Sequence, residues 1–295
     1  MNILLPAWPE NARDFDSFGA EQKAFEKFRG ETLMPCLPII ARLDGRSFHT
    51  FTKGLNRPFD INLQQCMEYA LKTVCEQFQA DLGYSQSDEI SLVWYNADSS
   101  KTMFDGRADK YISLLASAVS VAFYKALLIH LPEKTDTLPM FDCRLFQVPS
   151  SQHVFNNILW RWLDAKRNSV SMIASHHFTV SELKGKSRKV RIDMLKQIGI
   201  NWHEIDPKFK WGFFCKKVTY LKPIGEMPPQ AKIDPVLLCW DEDLGKCIER
   251  QKYDIVANTP SLFDLMNEET RQDYYSVTKH SLIFSDRVLT RYYNK

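Results

Sequence analysis

Pro38-Ile39-Ile40-Ala41-Arg42-Leu43-Asp44-Gly45 is the stretch on which the reading of the chain turns. A short apolar run stopped by Asp-Gly is the pattern of a buried strand entering a turn. Downstream, Leu63, Cys66, Met67, Ala70, Leu71, Val74, Cys75 and Phe78 follow the i, i+3, i+4, i+7 spacing of an amphipathic helix, with Asp60 placed as its cap. Gly83–Gln86 and Ile90–Tyr95 read as two strands joined through Ser87-Asp88-Glu89, a hairpin tip. A long helix is expected from about Ala108 to His130, a further strand over Phe141–Val148, and another helix opening at Ser150 and Ser151.

That order, β-α-β-β-α-β, predicts an α+β chain built on a ferredoxin-like palm, an antiparallel sheet with its helices on one face. Three regions are expected. Residues 1–150 form the palm core with an N-terminal helix, 151–222 a helical and basic RNA-binding region, and 223–295 a C-terminal extension of unassigned role. The prolines at 223, 228, 229 and 235 suggest a linker, followed by a short strand at Val236-Leu237-Leu238.

With 295 residues, 44% hydrophobic and 25% charged, the composition is that of an ordinary globular protein able to bury a core without metals or disulfides. The seven cysteines form no Cys-x-x-Cys pair, which argues for a reducing, cytoplasmic setting and against a zinc module. The most apolar stretch, Ile112–Pro132, is interrupted by Ser113, Ser117, Ser120, Lys125 and His130, so it is expected to be a core helix with no membrane role. Charge is uneven. Residues 160–222 hold 14 Lys/Arg against 5 Asp/Glu, whereas the segments on either side are net negative. Such a block suits a polyanionic partner, although a basic run alone is more often a solvated face.

Asp44 ends a central strand, and Asp88 and Glu89 sit on the hairpin that should pair beside it. Carboxylates brought together this way raise one another's pKa unless a cation neutralises them. Asp, Glu and a backbone carbonyl are hard oxygen ligands suited to Mg2+, and Gly45 lets its own carbonyl approach. Arg42, Arg46, Arg57, Arg107 and Lys110 lie on neighbouring segments and can balance a triphosphate, and a helix opening after Arg107 offers free N–H groups.

The motifs Arg42-Leu43-Asp44-Gly45-Arg46-Ser47-Phe48-His49, Arg57-Pro58-Phe59-Asp60, Gly83-Tyr84-Ser85-Gln86-Ser87-Asp88-Glu89, Phe141-Asp142-Cys143-Arg144, Val148-Pro149-Ser150 and Trp160-Arg161 with Asp164 together resemble the tRNA-histidine guanylyltransferase family, over roughly residues 20–220. The resemblance implies a palm nucleotidyltransferase that extends the 5′ end of tRNA in the 3′-to-5′ direction. ATP activates the 5′-phosphate, the 3′-hydroxyl of GTP or another NTP attacks it, and AMP leaves. It places two Mg2+ ions on Asp44, the Gly45 carbonyl and Asp88, and adds Glu89 as a catalytic carboxylate. It assigns nucleotide binding to Arg42, Arg46, Ser47, Phe48, His49, Arg57, Ser87, Arg107 and Lys110; for His49, simple packing after the first strand is an equal alternative. It also implies a homotetramer.

One departure concerns substrate choice. Family members that add one guanosine to tRNA-histidine carry His-Ile-Asn-Asn where this chain has Lys166-Arg167-Asn168-Ser169. The change makes the chain similar to the guanylyltransferase-like branch, whose members repair truncated 5′ ends on a template. A strict tRNA-histidine enzyme is the alternative, and a palm-fold nucleotide cyclase or a non-enzymatic RNA-binding protein lies further off. Arg161, Lys166, Arg167, Asn168, Lys184, Lys186, Arg188, Lys189 and Arg191 are the expected RNA contacts. Trp160 is expected in the core, while Trp211 is open between core and base stacking.

Overall fold

In the computed structural model, which describes residues 30–95, 102–228, 230 and 237–256, β1 (Ile39–Gly45) runs through the middle of one half of the sheet. It pairs antiparallel with β3 (Glu89–Trp94) on one side and β4 (Phe141–Gln147) on the other. β2 (Leu82–Gln86) closes the hairpin with β3. The order β4-β1-β3-β2 is the ferredoxin-like arrangement expected from the sequence, and β5 (Phe213–Pro223) extends it beside β2. β7 (Gly245–Val256) and β6 (Leu238–Asp241) then complete seven strands among the described residues.

Because successive residues of a strand face opposite sides, β1 serves two layers. Ile39, Ala41 and Leu43 pack against α1 (Ile61–Gln77) and α2 (Ala108–His130), with Met67, Leu71, Leu115, Val119 and Phe123 in the same core. Ile40 faces the other way, joining Leu82, Val93 and Tyr84 beneath α3 (Ser151–His177), which contributes Val154, Phe155, Ile158 and Trp162. The crossover helices therefore share one face as expected, and α3 covers the opposite one. Asp60 caps α1, accepting from the N–H groups of Asn62 and Leu63 at 2.9 and 3.0 Å, a contribution of about 1 kcal/mol.

α2 is long and apolar enough to cross a membrane by length and composition. Here one face, including Tyr111, Leu115, Val119 and Phe123, is buried in the core, while Val121, Leu128 and Ile129 point outward. Beyond the sheet, the second half of α3 packs with α4 (Arg188–Gln197) around Val170, Ile173, Leu183, Leu195 and Trp202. Residue 223 is not a boundary in the sheet, since β5 reaches it in register with Cys247 of β7. The short strand begins at Leu238, and Pro229, Pro235, Val236 and the expected N-terminal helix lie outside the described residues.

Candidate active site at the end of the sheet

Register assembles the acidic centre. Asp44 is directly opposite Glu89 on β3 and Asp142 on β4, and Glu89 is opposite Gln86 on β2. Directly paired residues share a face, so one polar row crosses four strands on the side that α3 covers. One step inward, Arg144, Arg42, Ser91 and Tyr84 form the next row, and Phe146, Ile40, Val93 and Leu82 the apolar row after that. The sheet therefore grades from apolar to acidic toward the end of β1.

The hairpin turns through Ser87 and Asp88, with Ser87 at φ 52°, so Glu89 is the first residue of β3 and the tip itself carries one carboxylate. The Gly45 N–H donates to the Asp88 carbonyl at 3.1 Å, fastening the end of β1 to the hairpin tip. Burial raises the Asp88 pKa, and the charge of Asp44 adds to the rise; the Ser87 hydroxyl, donating at 3.0 Å, opposes it. Gly45 is required sterically as well. A Cβ there would lie 2.3 Å from the ring of Phe48, which is locked among Phe51, Phe123 and Phe141.

Glu89 is engaged differently. Arg161 donates from Nε and Nη2 to its two carboxylate oxygens, each at 2.6 Å, and both side chains are about nine-tenths buried. Asp164 stands 3.5 Å from the same guanidinium. Burial still leaves the Glu89 pKa above its ordinary value, despite Arg161. Arg161, expected at an RNA surface, is thus an interior partner of Glu89, and it ties α3 to the hairpin. Asp44, Gly45 and Asp88 line the cleft beside this pair. Among the described residues no three His, Cys, Asp or Glu side chains form a metal cluster. Two carboxylates and a main-chain carbonyl nevertheless suit Mg2+, which keeps several waters and takes oxygens from substrate phosphates.

A cleft of about 610 Å³ opens beside this centre. It brings together Asp44, Gly45, Ser47, Phe48, His49, Arg57, Ser87, Asp88, Glu89, Arg161 and Asn168 of the residues singled out in the sequence. Arg42, Arg46, Arg107 and Lys110 do not line it. Arg42 lies 5.9 Å from the Trp160 ring, and Arg107 pairs with Asp109 at 2.8 Å where α2 begins. The cleft also contains residues not expected at the site. Phe59 and Phe209 stack at 4.7 Å, Lys208 bonds Glu68 at 2.6 Å, and Gln64 lies on the wall formed by α1. Asp60 accepts from the Asn56 N–H at 3.0 Å, folding the preceding loop onto that wall. Across the cleft, Gly212 has φ 76°, and a Cβ there would lie 2.2 Å from the Ser85 carbonyl. The Tyr84 hydroxyl donates to the Trp211 carbonyl at 2.6 Å, holding that segment to the hairpin.

The basic block divides. Lys184, Lys186 and Lys189 are exposed, and Arg188 is partly so. Arg191 turns inward to the Lys186 and Leu183 carbonyls and the Ser171 hydroxyl. Arg167 and Asn168 both bond Asp164. Lys166 lies 4.7 Å from the Trp211 ring, and burial, with the nearby charge of Arg188, lowers its pKa to about 8. Trp162 and Trp211 stack at 4.1 Å. Trp160, expected in the core, is instead 54% exposed and lies 4.6 Å from Arg161.

The family model for tRNAHis guanylyltransferase (Thg1) matches residues 19–149. A tRNA(His) guanylyltransferase of Debaryomyces hansenii is 29% identical over 64% of this chain and 76% of its own length. Among solved structures, a bacterial tRNA(His) guanylyltransferase-like protein in complex with ATP is 32% identical, with a TM-score of 0.63 over 68% of this chain and 88% of that one. A structure of a bacterial tRNA(His) guanylyltransferase-like protein in complex with GTP is 25% identical, with a TM-score of 0.61 over 88% of this chain and 97% of the other.

Proposed function

Because this chain belongs to the tRNAHis guanylyltransferase (Thg1) family and is a nucleotidyltransferase, we propose that it extends the 5′ end of tRNA in the 3′-to-5′ direction, as templated repair of truncated ends. The observation that carries this reading is the convergence of Asp44, Gly45 and Asp88 at the mouth of the cleft. The Gly45–Asp88 main-chain bond holds the two carboxylate-bearing turns together beside the cleft that both residues line. Asp44, Asp88 and the Gly45 carbonyl would hold Mg2+, which when bound supplies charge stabilisation to the attacking and leaving oxygens. ATP and then GTP or another NTP are the substrates, with AMP leaving from the activated 5′-phosphate.

The protein's own residues have distinct tasks. Arg57, Ser47 and His49 line the cleft where a nucleotide would lie, and Ser87 fixes the Asp88 carboxylate by hydrogen bonding. Glu89 acts by fixing Arg161, which keeps α3 docked over the sheet. Arg42 and Arg46, on either side of Asp44 and Gly45, extend the positive field outside the cleft toward a triphosphate or the RNA end, whereas Arg107 and Lys110 open α2 near the Ile39 end of β1, where Tyr111 packs on Trp94, and stand away from the carboxylates. Lys184, Lys186, Arg188 and Lys189 track tRNA phosphates without reading sequence. In this assignment 1–150 is catalytic and 151–222 binds RNA, while 223–295, whose β6 and β7 continue the same sheet, has no assigned role. The active form is a cytoplasmic homotetramer, to be checked by light scattering.

Lys166-Arg167 in place of His-Ile favours repair over strict tRNA-histidine selection. The second reading, a strict guanylyltransferase, is favoured by the names of relatives such as the Debaryomyces protein. A 5′-end extension assay with ATP, Mg2+ and NTPs separates the two. Its substrates are full-length tRNA-histidine and a different tRNA lacking its first nucleotide. Templated completion of the truncated tRNA supports repair, addition only to tRNA-histidine replaces it with the strict reading, and no addition to either overturns both.

A further inference from the structure

Trp160 has no task in the function proposed above, and it belongs to the part of α3 that lies beside the acidic centre. An exposed indole by itself means little, but the surroundings of this one are specific. The Arg161 guanidinium lies 4.6 Å from the ring centroid and that of Arg42 5.9 Å. Both cations also act on the Glu89 carboxylate, so they approach the ring from the sheet. More than half of the indole, 54% of its surface, is left to solvent. Arg42 is directly opposite Arg144 on β4. Arg144 and Asp142 are exposed, so α3 leaves this edge of the sheet open. Like charges placed opposite one another repel, and among the described residues neither arginine forms a salt bridge. A phosphate held by the two guanidinium groups removes that repulsion. Arg42 precedes Asp44 by two residues on the same face of β1, about 7 Å along the strand.

An open aromatic face beside a pair of arginines suits an unpaired nucleotide, with its phosphate on the guanidinium groups and its base on the ring. A 5′ end that lacks nucleotides leaves unpaired bases on the opposite strand, and those bases have free faces to stack. We propose that Trp160, Arg42 and Arg144 form an RNA platform beside the cleft, on which Trp160 stacks an unpaired base of the strand opposite the truncated 5′ end and the two arginines hold its phosphate. The inference rests on the substrate being such a tRNA and adds where its single-stranded portion lies. The platform tolerates any sequence, because every base offers an aromatic face. Arg161, bonded to Glu89 through two nitrogens, backs the indole.

The test is equilibrium filter binding of three hairpin RNAs that carry a 5′-monophosphate. One has an unpaired 3′ tail, one has the same tail without bases, and one is blunt. The full chain is expected to bind the tailed RNA about 10-fold or more tighter than the abasic-tailed one. In Trp160→Leu that preference falls to near 1, while Trp160→Phe, which keeps a ring, retains most of it. Arg144→Ala weakens both tailed RNAs and lowers the slope of log affinity against log salt by about 1. Thermal melting checks that each variant is folded. An unchanged preference in folded Trp160→Leu overturns the platform. Loss of ATP or GTP binding in that variant with the RNA preference kept also overturns it, giving Trp160 to a mononucleotide. Equal binding of the tailed and abasic-tailed RNAs by the full chain overturns it while leaving the tRNA reading standing. Failure of the full chain to bind any of the three overturns the tRNA reading and this inference together.

Discussion

The acidic end of the sheet and the basic block beyond α3 are both rich in charge, yet they are held in opposite ways. At the sheet end, strand register sets Asp44 beside Glu89, and Glu89 is locked by two 2.6 Å bonds from Arg161. Each charge there has a fixed partner or a fixed direction, and burial raises the pKa of Asp88 and Glu89. In the basic block, Lys184, Lys186 and Lys189 lie on an exposed turn and the first turn of α4. Buried charges act singly, so removing one has a large and local effect. Exposed charges act through their summed field, so their effect is spread over several residues and screened by salt.

The sharpest way to break this contrast is Asp88→Asn. If Asp88 holds the metal as proposed, its loss is expected to lower nucleotide incorporation by about 10³-fold or more while tRNA binding, followed by filter retention, stays close to normal. Near-normal incorporation would remove Asp88 from the centre. Next in size is Arg161→Ala, which strands Glu89 as an unpaired buried charge and should cost about 3–5 kcal/mol in denaturant unfolding. If Arg161 instead contacts RNA, the variant would unfold normally and bind tRNA poorly.

Replacing Lys186, Arg188 and Lys189 together with Ala should reduce the slope of log affinity against log salt by about 2–3, with folding unaffected. An unchanged slope returns the segment to a solvated face. The smallest effect concerns stability without metal. Asp88 has a raised pKa in the folded protein, so the fold holds that proton more tightly than the unfolded chain does. This contribution to stability is present below the ordinary carboxylate pKa and is lost as pH rises from there through the raised value. Asp88→Asn, lacking the charge, should therefore melt higher than the parent at neutral pH without Mg2+ and show less loss across that window. A lower melting point in the variant would contradict the sign.

The palm was legible because its elements are local. The β1 run, the Asp60 cap and the α1 spacing each declare themselves within a few residues, and the carboxylates stand where strands meet turns. The Glu89–Arg161 pair was not, since its partners are 72 residues apart and no spacing within α3 points from one to the other. Arg161 beside Trp160 reads as a surface cation, and only the packing of α3 on the sheet turns it inward. For the tryptophans the signal was present. Val154, Ile158 and Trp162 are spaced by four, so Trp162 belongs to the buried stripe and Trp160 to the opposite side. β7 escaped notice because its middle, Glu249–Lys252, is charged and exposed and lacks the alternation of a half-buried strand.

The central claim is that Asp44 and Asp88 jointly hold the metal that carries a nucleotide into the cleft. Calorimetric titration of a non-hydrolysable ATP analogue, with and without Mg2+, into the parent chain and Asp44→Asn tests it most directly. Mg2+ should tighten binding to the parent by about 10-fold or more, and that increment should vanish in the variant while metal-free binding is retained. An equal Mg2+ dependence in both proteins would place the metal elsewhere and contradict the account.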